Sequence, residues 1–272
     1  MACLPVEYDY LRRLVLEQSA NVIGPERNRL FDARLAPLAR ICGAESLAQL
    51  VQQLRREPEG QLHRMVAEAM TINETSFFRD GTPFDAIRAE ILPAAIECRR
   101  EERRLRIWSA ASSTGQEAYS VAMMIREDFP ELARWDVRIL GSDLSATVLD
   151  YARAGRYRRL EVKRGLPQRM LERYFAREGE EWEIAPEIRG MCEFRQMNLC
   201  APLPALPEFD VILLRNVLIY FSAEGRSRLL RDAHRLLAPH GALVLGNAEQ
   251  TEDMESWVAV LREGAVYYRK AG

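Results

Sequence analysis

The sequence is poor in the residues that cross-link chains or hold metal ions. Its 272 residues include five cysteines and three histidines, and no two cysteines form a C-x-x-C pair. The cysteines are far apart, at Cys3, Cys42, Cys98, Cys192 and Cys200. An odd number of isolated cysteines favours neither a disulfide framework nor a zinc site. We therefore expect reduced thiols and no metal centre.

The sequence also lacks long apolar runs and an excess of charge of either sign. No run approaches the roughly 20 residues that a membrane helix needs. Glu7 and Asp9 stand where a signal peptide would carry positive charge. With 38 Lys and Arg against 40 Asp and Glu, the net charge of −2 does not suit a protein whose main partner is a nucleic acid. We expect a cytoplasmic protein without membrane insertion and without a nucleic acid partner.

The N-terminal part of the chain contains helical patterns only. Four segments repeat apolar residues at three- and four-residue spacing, and glycine and proline separate them. The segments run from Tyr10 to Val15, Leu30 to Ile41, Leu47 to Leu54 and Leu62 to Ala69. This pattern predicts a small all-helical domain over residues 1–72, followed by a linker at 73–90.

From about Arg104 onward, apolar runs alternate with helical segments. The runs are Leu105 to Trp108, Val137 to Leu140, Cys192 to Phe194, Phe209 to Leu214, Ala242 to Leu245 and Ala265 to Tyr268. This alternation predicts an α/β fold with a doubly wound, mostly parallel sheet over residues 91–272. Residues 151–191 are too many for a plain crossover, so we expect a small inserted β-subdomain at about 174–194, with a hairpin near Trp182 to Ile184.

Basic residues cluster ahead of this predicted subdomain. They are Arg153, Arg156, Arg158, Arg159, Lys163 and Arg164. Such a cluster is either a solvated face or a surface for a partner, and the sequence leaves both interpretations open.

The most informative stretch runs from Leu105 to Ile125. Its apolar run ends in small residues at 109–114, passes Gly115 and enters a helical pattern. The next apolar run ends at Asp143. Nucleotide-binding sheets hold ribose hydroxyls with a carboxylate at the carboxyl end of this second strand. The two features predict a site for an adenosine-containing cofactor, although a lone glycine also occurs in plain strand-to-helix turns.

The turn lacks the residues that bind phosphate. A pyrophosphate needs several glycines, and a triphosphate needs the lysine of a P-loop. This turn has Gly115 alone and is followed by Glu117, which would repel a phosphate but can pair with an ammonium group. A cofactor with adenosine at one end, a zwitterionic amino acid at the other and no phosphate fits these residues. The pattern therefore indicates S-adenosylmethionine.

Further motifs follow one another along the chain. They read NETSFFRD at 73–80, STGQEAYS at 113–120, SDLS at 142–145, NL at 198–199 and RNVLIYF at 215–221. This ordered set closely resembles the CheR family of chemoreceptor glutamate methyltransferases, over essentially the whole chain. The resemblance implies a Rossmann-like methyltransferase domain and methyl transfer from S-adenosylmethionine to glutamate side chains on the cytoplasmic helical domain of bacterial chemoreceptors. The other product would be S-adenosylhomocysteine.

The resemblance also implies roles for individual residues. The positions implied to line the cofactor site are Asn73, Thr75, Arg79, Glu117, Asp143, Asn198, Leu199, Arg215 and Asn216. Tyr220 is implied to face the transfer site, and we expect Arg79 and Tyr220 to position the reacting groups. The helical domain is implied to dock against the receptor, and we expect a monomer.

The chemistry asks for no general base. A glutamate carboxylate has a reference pKa of about 4.3 and is already ionised at neutral pH. Two alternatives remain open: a methyltransferase that acts on RNA or on a small molecule, and a non-catalytic module that binds S-adenosylmethionine. The balanced charge disfavours RNA, and the complete set of implied cofactor residues disfavours the non-catalytic module.

Overall fold

The structure is a computed structural model that describes residues 3–251, 255–262 and 264–271. Its chain divides into two compact units. The first is Met1–Ile72 with Tyr220–Ser227, and the second is Asn73–Ile219 with Arg228–Gly272. No helix within the described ranges combines the length and the apolar character that crossing a bilayer requires.

The first unit is helical, as the sequence pattern indicates. Its four α-helices are α1 (Pro5–Ser19), α2 (Asn28–Ile41), α3 (Leu47–Arg56) and α4 (Gln61–Ala69), with a short 3-10 helix at Pro25–Arg27. Their apolar faces form one core, in which Leu11, Phe31, Leu35, Leu50 and Val66 are fully buried. Burial of these faces, rather than helix propensity alone, stabilises such short helices.

Residues 220–227 belong to this helical unit, whereas the sequence analysis assigned them to the methyltransferase domain. The backbone N–H of Val22 donates to the carbonyl oxygen of Tyr220 at 2.8 Å. Asn21 and Phe221 form an isolated antiparallel bridge. These main-chain contacts join segments that are distant in sequence, so a boundary drawn along the chain misses them.

The predicted linker at 73–90 is also more than a connection. It runs into α5 (Thr82–Ala86), a π-helical turn at Ile87–Ile91 and α6 (Leu92–Cys98). Phe77, Phe84 and Ile91 are buried in the core of the second unit. Because these apolar side chains pack there, the segment is part of the sheet-containing unit.

The second unit contains all ten strands found among the described residues. They are β1 (Arg104–Ala110), β2 (Asp136–Asp143), β3 (Arg156–Arg158), β4 (Phe175–Glu178), β5 (Glu181–Ile184), β6 (Cys192–Gln196), β7 (Phe209–Leu214), β8 (Leu237–Leu245), β9 (Trp257–Arg262) and β10 (Ala265–Lys270). Seven of them form one sheet in the order β6-β2-β1-β7-β8-β10-β9. The first five of these pair in parallel, and β10 pairs antiparallel with β8 and with β9.

Helices connect these strands. They are α7 (Gln116–Asp128), α8 (Ala146–Ala154), α9 (Arg159–Lys163), α10 (Gln168–Tyr174), α11 (Pro186–Arg189) and α12 (Ala223–Leu236), with 3-10 helices at Pro130–Arg134 and Leu218–Tyr220. All six residues of β7 are buried. Central parallel strands that are covered on both faces consist of such unbroken apolar runs. The α/β fold with a doubly wound, mostly parallel sheet is confirmed.

The other three strands form a small antiparallel sheet in the order β3-β5-β4. Its position differs from the predicted subdomain at 174–194. The small sheet starts earlier, at β3, while Cys192 pairs in parallel with Ile139 in β2 and so belongs to the large sheet. The difference arises because β3 has only three residues, two of them charged, and shows no apolar run.

Candidate active site

The turn between β1 and α7 is held in an unusual backbone conformation. Ala111, Ser113 and Gly115 all have positive φ, at 56°, 51° and 89°. A Cβ at Gly115 would lie 2.9 Å from the Cβ of Ala152 and 3.0 Å from the ring of Phe194. Only glycine fits there, because a side chain would add both backbone strain and a steric clash. The turn therefore packs closely against its neighbours at the N-terminus of α7.

Asp143 ends β2 and holds this turn in place. Its side chain is buried, with 6% exposure for the residue. One carboxylate oxygen accepts from the backbone N–H of Ser113 at 2.9 Å, and the other accepts from Ser145 at 3.1 Å. Burial raises the pKa of Asp143, while the hydrogen bonds from backbone N–H groups oppose that rise. An ionised carboxylate has about four acceptor positions, so beside these backbone donors it can still accept from ribose hydroxyls.

Arg215 follows β7 and joins two carboxylates. Its side chain is 1% exposed and donates to Glu117 at 2.9 Å and to Asp80 at 2.9 Å. The second guanidinium nitrogen also donates to the carbonyl oxygen of Arg79 at 2.8 Å, and the group lies 5.4 Å from the ring centre of Phe84. We call Asp80, Glu117 and Arg215 the acidic triad. Two carboxylates and one guanidinium leave it with one net negative charge.

The net negative charge of the acidic triad restricts which cofactor the site can hold. Ser109 donates to the second oxygen of Glu117 at 2.8 Å, which fixes the carboxylate beside the turn. A fixed carboxylate with surplus negative charge suits an ammonium group and repels phosphate. Together with Asp143, the triad fits the amino acid and ribose ends of S-adenosylmethionine.

The 73–80 motif reaches the same turn. The carbonyl oxygen of Asn73 accepts from the Ser113 hydroxyl at 2.8 Å. The guanidinium of Arg79 donates to the carbonyl oxygen of Glu74 at 2.8 Å, which closes the motif on itself around Thr75. Asn73 thus contacts the turn that carries Gly115, and Thr75 and Arg79 belong to the same motif.

Asn198 and Leu199 lie just beyond β6. The side-chain oxygen of Asn198 accepts from the backbone N–H of Cys200 at 2.9 Å, which is a local turn. Leu199 is buried at 6% exposure. Both therefore sit at the carboxyl end of the strand next to β2, where the sequence analysis expects them.

Asn216 is positioned by a residue that the sequence analysis missed. Its backbone has a φ of 57°, and its N–H donates to Glu249 at 2.6 Å. Glu249 also accepts from Gly246 at 2.8 Å and from Ile219 at 3.3 Å. A carboxylate only three residues past Gly246, at the end of the apolar run of β8, is the sequence signal that was available.

Tyr220 ends the 3-10 helix that follows Asn216. The backbone carbonyl of Tyr220 accepts from Val22, and Tyr220 belongs to the helical unit. The nine implied cofactor residues belong to the other unit. The role of Tyr220 at the transfer site stays a prediction.

Several of the expected site residues lie at the carboxyl ends of parallel strands, namely Asp143, Asn198, Leu199, Arg215 and Asn216. Strands β1, β2, β6, β7 and β8 are parallel, so their carboxyl ends share one edge of the sheet, which is where ligands bind in doubly wound sheets. Within the part of the chain that the structure describes, no group of three or more His, Cys, Asp or Glu could hold a metal ion. His240 lies instead 2.9 Å from Asp210, next to the first residue of β7. The edge offers fixed carboxylates, amides and a guanidinium.

Comparisons with known proteins agree with this arrangement. Residues 73–266 match the profile of the CheR methyltransferase, SAM-binding domain. Chemotaxis protein methyltransferase Cher2 of Pseudomonas putida is 37% identical over 95% of this chain and 96% of its own length. Chemotaxis protein methyltransferase 1 of Pseudomonas aeruginosa is 39% identical over 96% of this chain and 97% of its own.

Likeness to solved structures is weaker. A TehB-like SAM-dependent methyltransferase from Corynebacterium glutamicum is 13% identical, with a TM-score of 0.37 over 70% of this chain and 96% of that chain. That value is too low to add to the assignment, which rests on the family profile and on the relatives. S-adenosylmethionine is the cofactor, and the enzyme is a methyltransferase of chemotaxis. The chain belongs to the CheR methyltransferase family.

Proposed function

We propose that this enzyme methylates glutamate side chains on the cytoplasmic helical domain of bacterial chemoreceptors, producing glutamate methyl esters and S-adenosylhomocysteine. The observation that carries the proposal is the alignment with chemotaxis methyltransferases over at least 95% of this chain and 96% of each of two relatives. A relative that matches at both ends shares the helical unit as well as the methyltransferase domain. The enzyme would act in the cytoplasm as a monomer.

The composition of the site supports a carboxylate as the acceptor. When bound, S-adenosylmethionine supplies an electrophilic methyl group on a sulfonium. An ionised carboxylate needs no proton removed before it is methylated. The residues have to hold and align the reactants, which is where most of the rate gain arises in such a reaction.

Each of the expected site residues would have a share in that task. Asp143 would hold the ribose hydroxyls, and Glu117 would hold the ammonium group. Asn198 and Leu199 would contact the adenine, with an amide for its polar edge and an apolar side chain for its face. Asn73, Thr75, Arg215 and Asn216 would complete the pocket, Arg215 mainly through Glu117.

Arg79 and Tyr220 would position the acceptor carboxylate. A guanidinium can hold a carboxylate with two parallel hydrogen bonds, and a phenol hydroxyl can donate one more. Holding the carboxylate in this way also removes water from it, which strengthens its attack on the methyl carbon.

A methylation assay tests the proposal directly. Purified enzyme is incubated with methyl-labelled S-adenosylmethionine and the cytoplasmic fragment of a chemoreceptor, and the label released by mild alkali as methanol is counted. The matched control is the same fragment with its acceptor glutamates changed to glutamine. We expect alkali-labile methyl groups on the glutamate form only. Alkali-stable label, label on RNA, or binding of the cofactor without transfer would each overturn the proposal.

A further inference from the structure

Helix α9 presents an exposed apolar side chain surrounded by cations. Leu160 is 82% exposed, while Val162, from the other side of the same helix, is 1% exposed. Lys163 lies four residues after Arg159 and three after Leu160, so these three side chains share one helix face. We call Arg158, Arg159, Leu160 and Lys163 the α9 knob.

The cations of the knob differ from the rest of the basic cluster in their ion pairs. Arg153 pairs with Asp150, Arg156 pairs with Glu178 and Glu183, and Arg164 pairs with Glu74. In contrast, Arg158, Arg159 and Lys163 are exposed and form no ion pair with any residue that the structure describes. Among the residues that the structure describes, one half of the cluster is therefore ion-paired and the other half is exposed without an ion pair.

The knob is attached to the cofactor turn. Tyr157 immediately precedes it, and its buried hydroxyl donates to the carbonyl oxygen of Thr114 at 2.7 Å. On the other side, a Cβ at Gly165 would lie 2.0 Å from the carbonyl oxygen of Phe77, so the backbone there lies directly against the 73–80 motif. Both ends of the knob are thus fixed to segments that form the active site.

The positive charge of the knob is complementary to the charge of an acidic helix. The target proposed above is a helix that presents glutamates, and its neighbouring carboxylates would face Arg159 and Lys163. Charge complementarity of this kind raises association rates and selects partners. Leu160, with cations beside it, can supply an apolar contact inside a polar rim, which is the usual arrangement of an interface.

We infer that the α9 knob is a docking surface for the acidic helix that carries the methylated glutamate. The inference rests on the proposed function, because it takes its partner from there. Leu160 contacts apolar side chains of that helix, and the three cations contact carboxylates on either side of them. Docking at this place brings the helix to the edge of the sheet where Asp143 and Glu117 lie.

Charge reversal at the knob tests the inference. The variant is Arg159→Glu with Lys163→Glu, and a second variant is Leu160→Ser. The matched control is Arg134→Glu with Arg231→Glu, which changes the same total charge at exposed arginines that likewise form no described ion pair. All are assayed against a chemoreceptor fragment that the wild-type enzyme methylates, at low and at high salt.

We expect the double reversal at α9 to raise KM for the receptor about tenfold at low salt, and less at high salt where charges are screened. Leu160→Ser should raise KM by a factor that salt does not change. The control pair should keep the wild-type KM, and all variants should keep the wild-type melting temperature and affinity for S-adenosylmethionine.

The experiment distinguishes a failure of the proposed function from a failure of the docking surface. If the wild-type enzyme forms no methyl ester on receptors, the proposed function is wrong. If it does, and the α9 variants keep the wild-type KM at low salt or change no more than the control pair, the docking surface is overturned while the function stands.

Discussion

The guanidinium of Arg215 and the carboxylate of Glu117 meet at 2.9 Å although 98 residues separate them in the sequence. Arg215 is nearly fully buried, and Asp80 is its second carboxylate partner. A buried guanidinium with two partners is costly to disrupt, because losing it leaves carboxylates unpaired. The pair thus joins the end of β7 to the first turn of α7. Together with Asp80 it presents one net negative charge to an incoming ammonium group.

Glu117→Gln tests that charge. The substitution keeps the shape of the side chain and an oxygen that can accept from Arg215, but it brings the acidic triad to zero net charge. We expect the dissociation constant for S-adenosylmethionine to rise about tenfold, which corresponds to about 1.4 kcal/mol. Calorimetric titration measures it, and the melting temperature of the ligand-free protein serves as the control. An unchanged affinity would remove Glu117 from the cofactor site.

Asp143→Ala removes the carboxylate at the end of β2. It deletes the proposed acceptor of the ribose hydroxyls and also the acceptor of the Ser113 N–H. We expect binding of S-adenosylmethionine to weaken by about 2 kcal/mol, the usual loss for hydrogen bonds to a charged group. Adenosine should lose affinity in parallel, since it carries the same ribose, and this ligand is the control. If adenosine binds the variant as it binds the wild type, another residue holds the ribose.

Glu249 should act as a positioning residue. Glu249→Ala leaves three backbone N–H groups at the ends of β7 and β8 without their acceptor, and we expect kcat/KM to fall about tenfold or more. Glu249→Gln keeps an accepting oxygen and should recover most of that loss. Equal losses in the two variants would mean that the charge, and not the placement of Asn216, is what the loop requires.

Tyr220→Phe separates alignment from binding. If the hydroxyl helps to align the acceptor carboxylate, kcat should fall while the affinity for S-adenosylmethionine stays near the wild-type value. Single-turnover rates and calorimetry measure the two quantities independently. A matched loss in both would make Tyr220 a cofactor-binding residue instead.

The cysteines should differ in reactivity. Burial raises the pKa of Cys200 to about 11 and raises that of Cys192 further, whereas Cys98 is exposed. Since the thiolate is the reactive form, iodoacetamide at pH 8 should modify Cys98 first. Cys200 should react faster as the pH rises toward 11, and Cys192 should react only after unfolding. Peptide mapping by mass spectrometry gives the order, and early labelling of Cys192 in the folded protein would contradict it.

Six of the seven strands of the large sheet were predictable from apolar runs, and burial on both faces explains the unbroken run of the central strand β7. Each of the six predicted runs lies in a strand. The strand β9 was missed although Trp257 to Leu261 form an unbroken apolar run. It is the last strand of the sheet, and Val258 and Leu261 are 49% and 69% exposed, so this run does not reflect burial on both faces. The three residues of β3, in contrast, contain no apolar run.

The site was predictable where a residue's position in a strand or turn decides its role. Asp143 and Glu117 are of this kind, since one ends a strand and the other begins a helix after a glycine turn. Asp80 and Glu249 were missed because their roles depend on partners 135 and 33 residues away, Arg215 and Asn216. No local pattern records such pairings, and they appear only when the chain is folded.

The hydrogen bond from Tyr157 to Thr114 connects the small sheet directly to the cofactor turn. If a protein substrate that docks on β3 or α9 shifts this tyrosine, the turn moves with it, and the affinity for the cofactor changes. Thermodynamic linkage then requires reciprocity: whatever factor the bound cofactor applies to substrate affinity, the bound substrate applies to cofactor affinity. In that case the hydroxyl of Tyr157 would couple the two binding sites, and the cofactor and the substrate would bind cooperatively rather than independently.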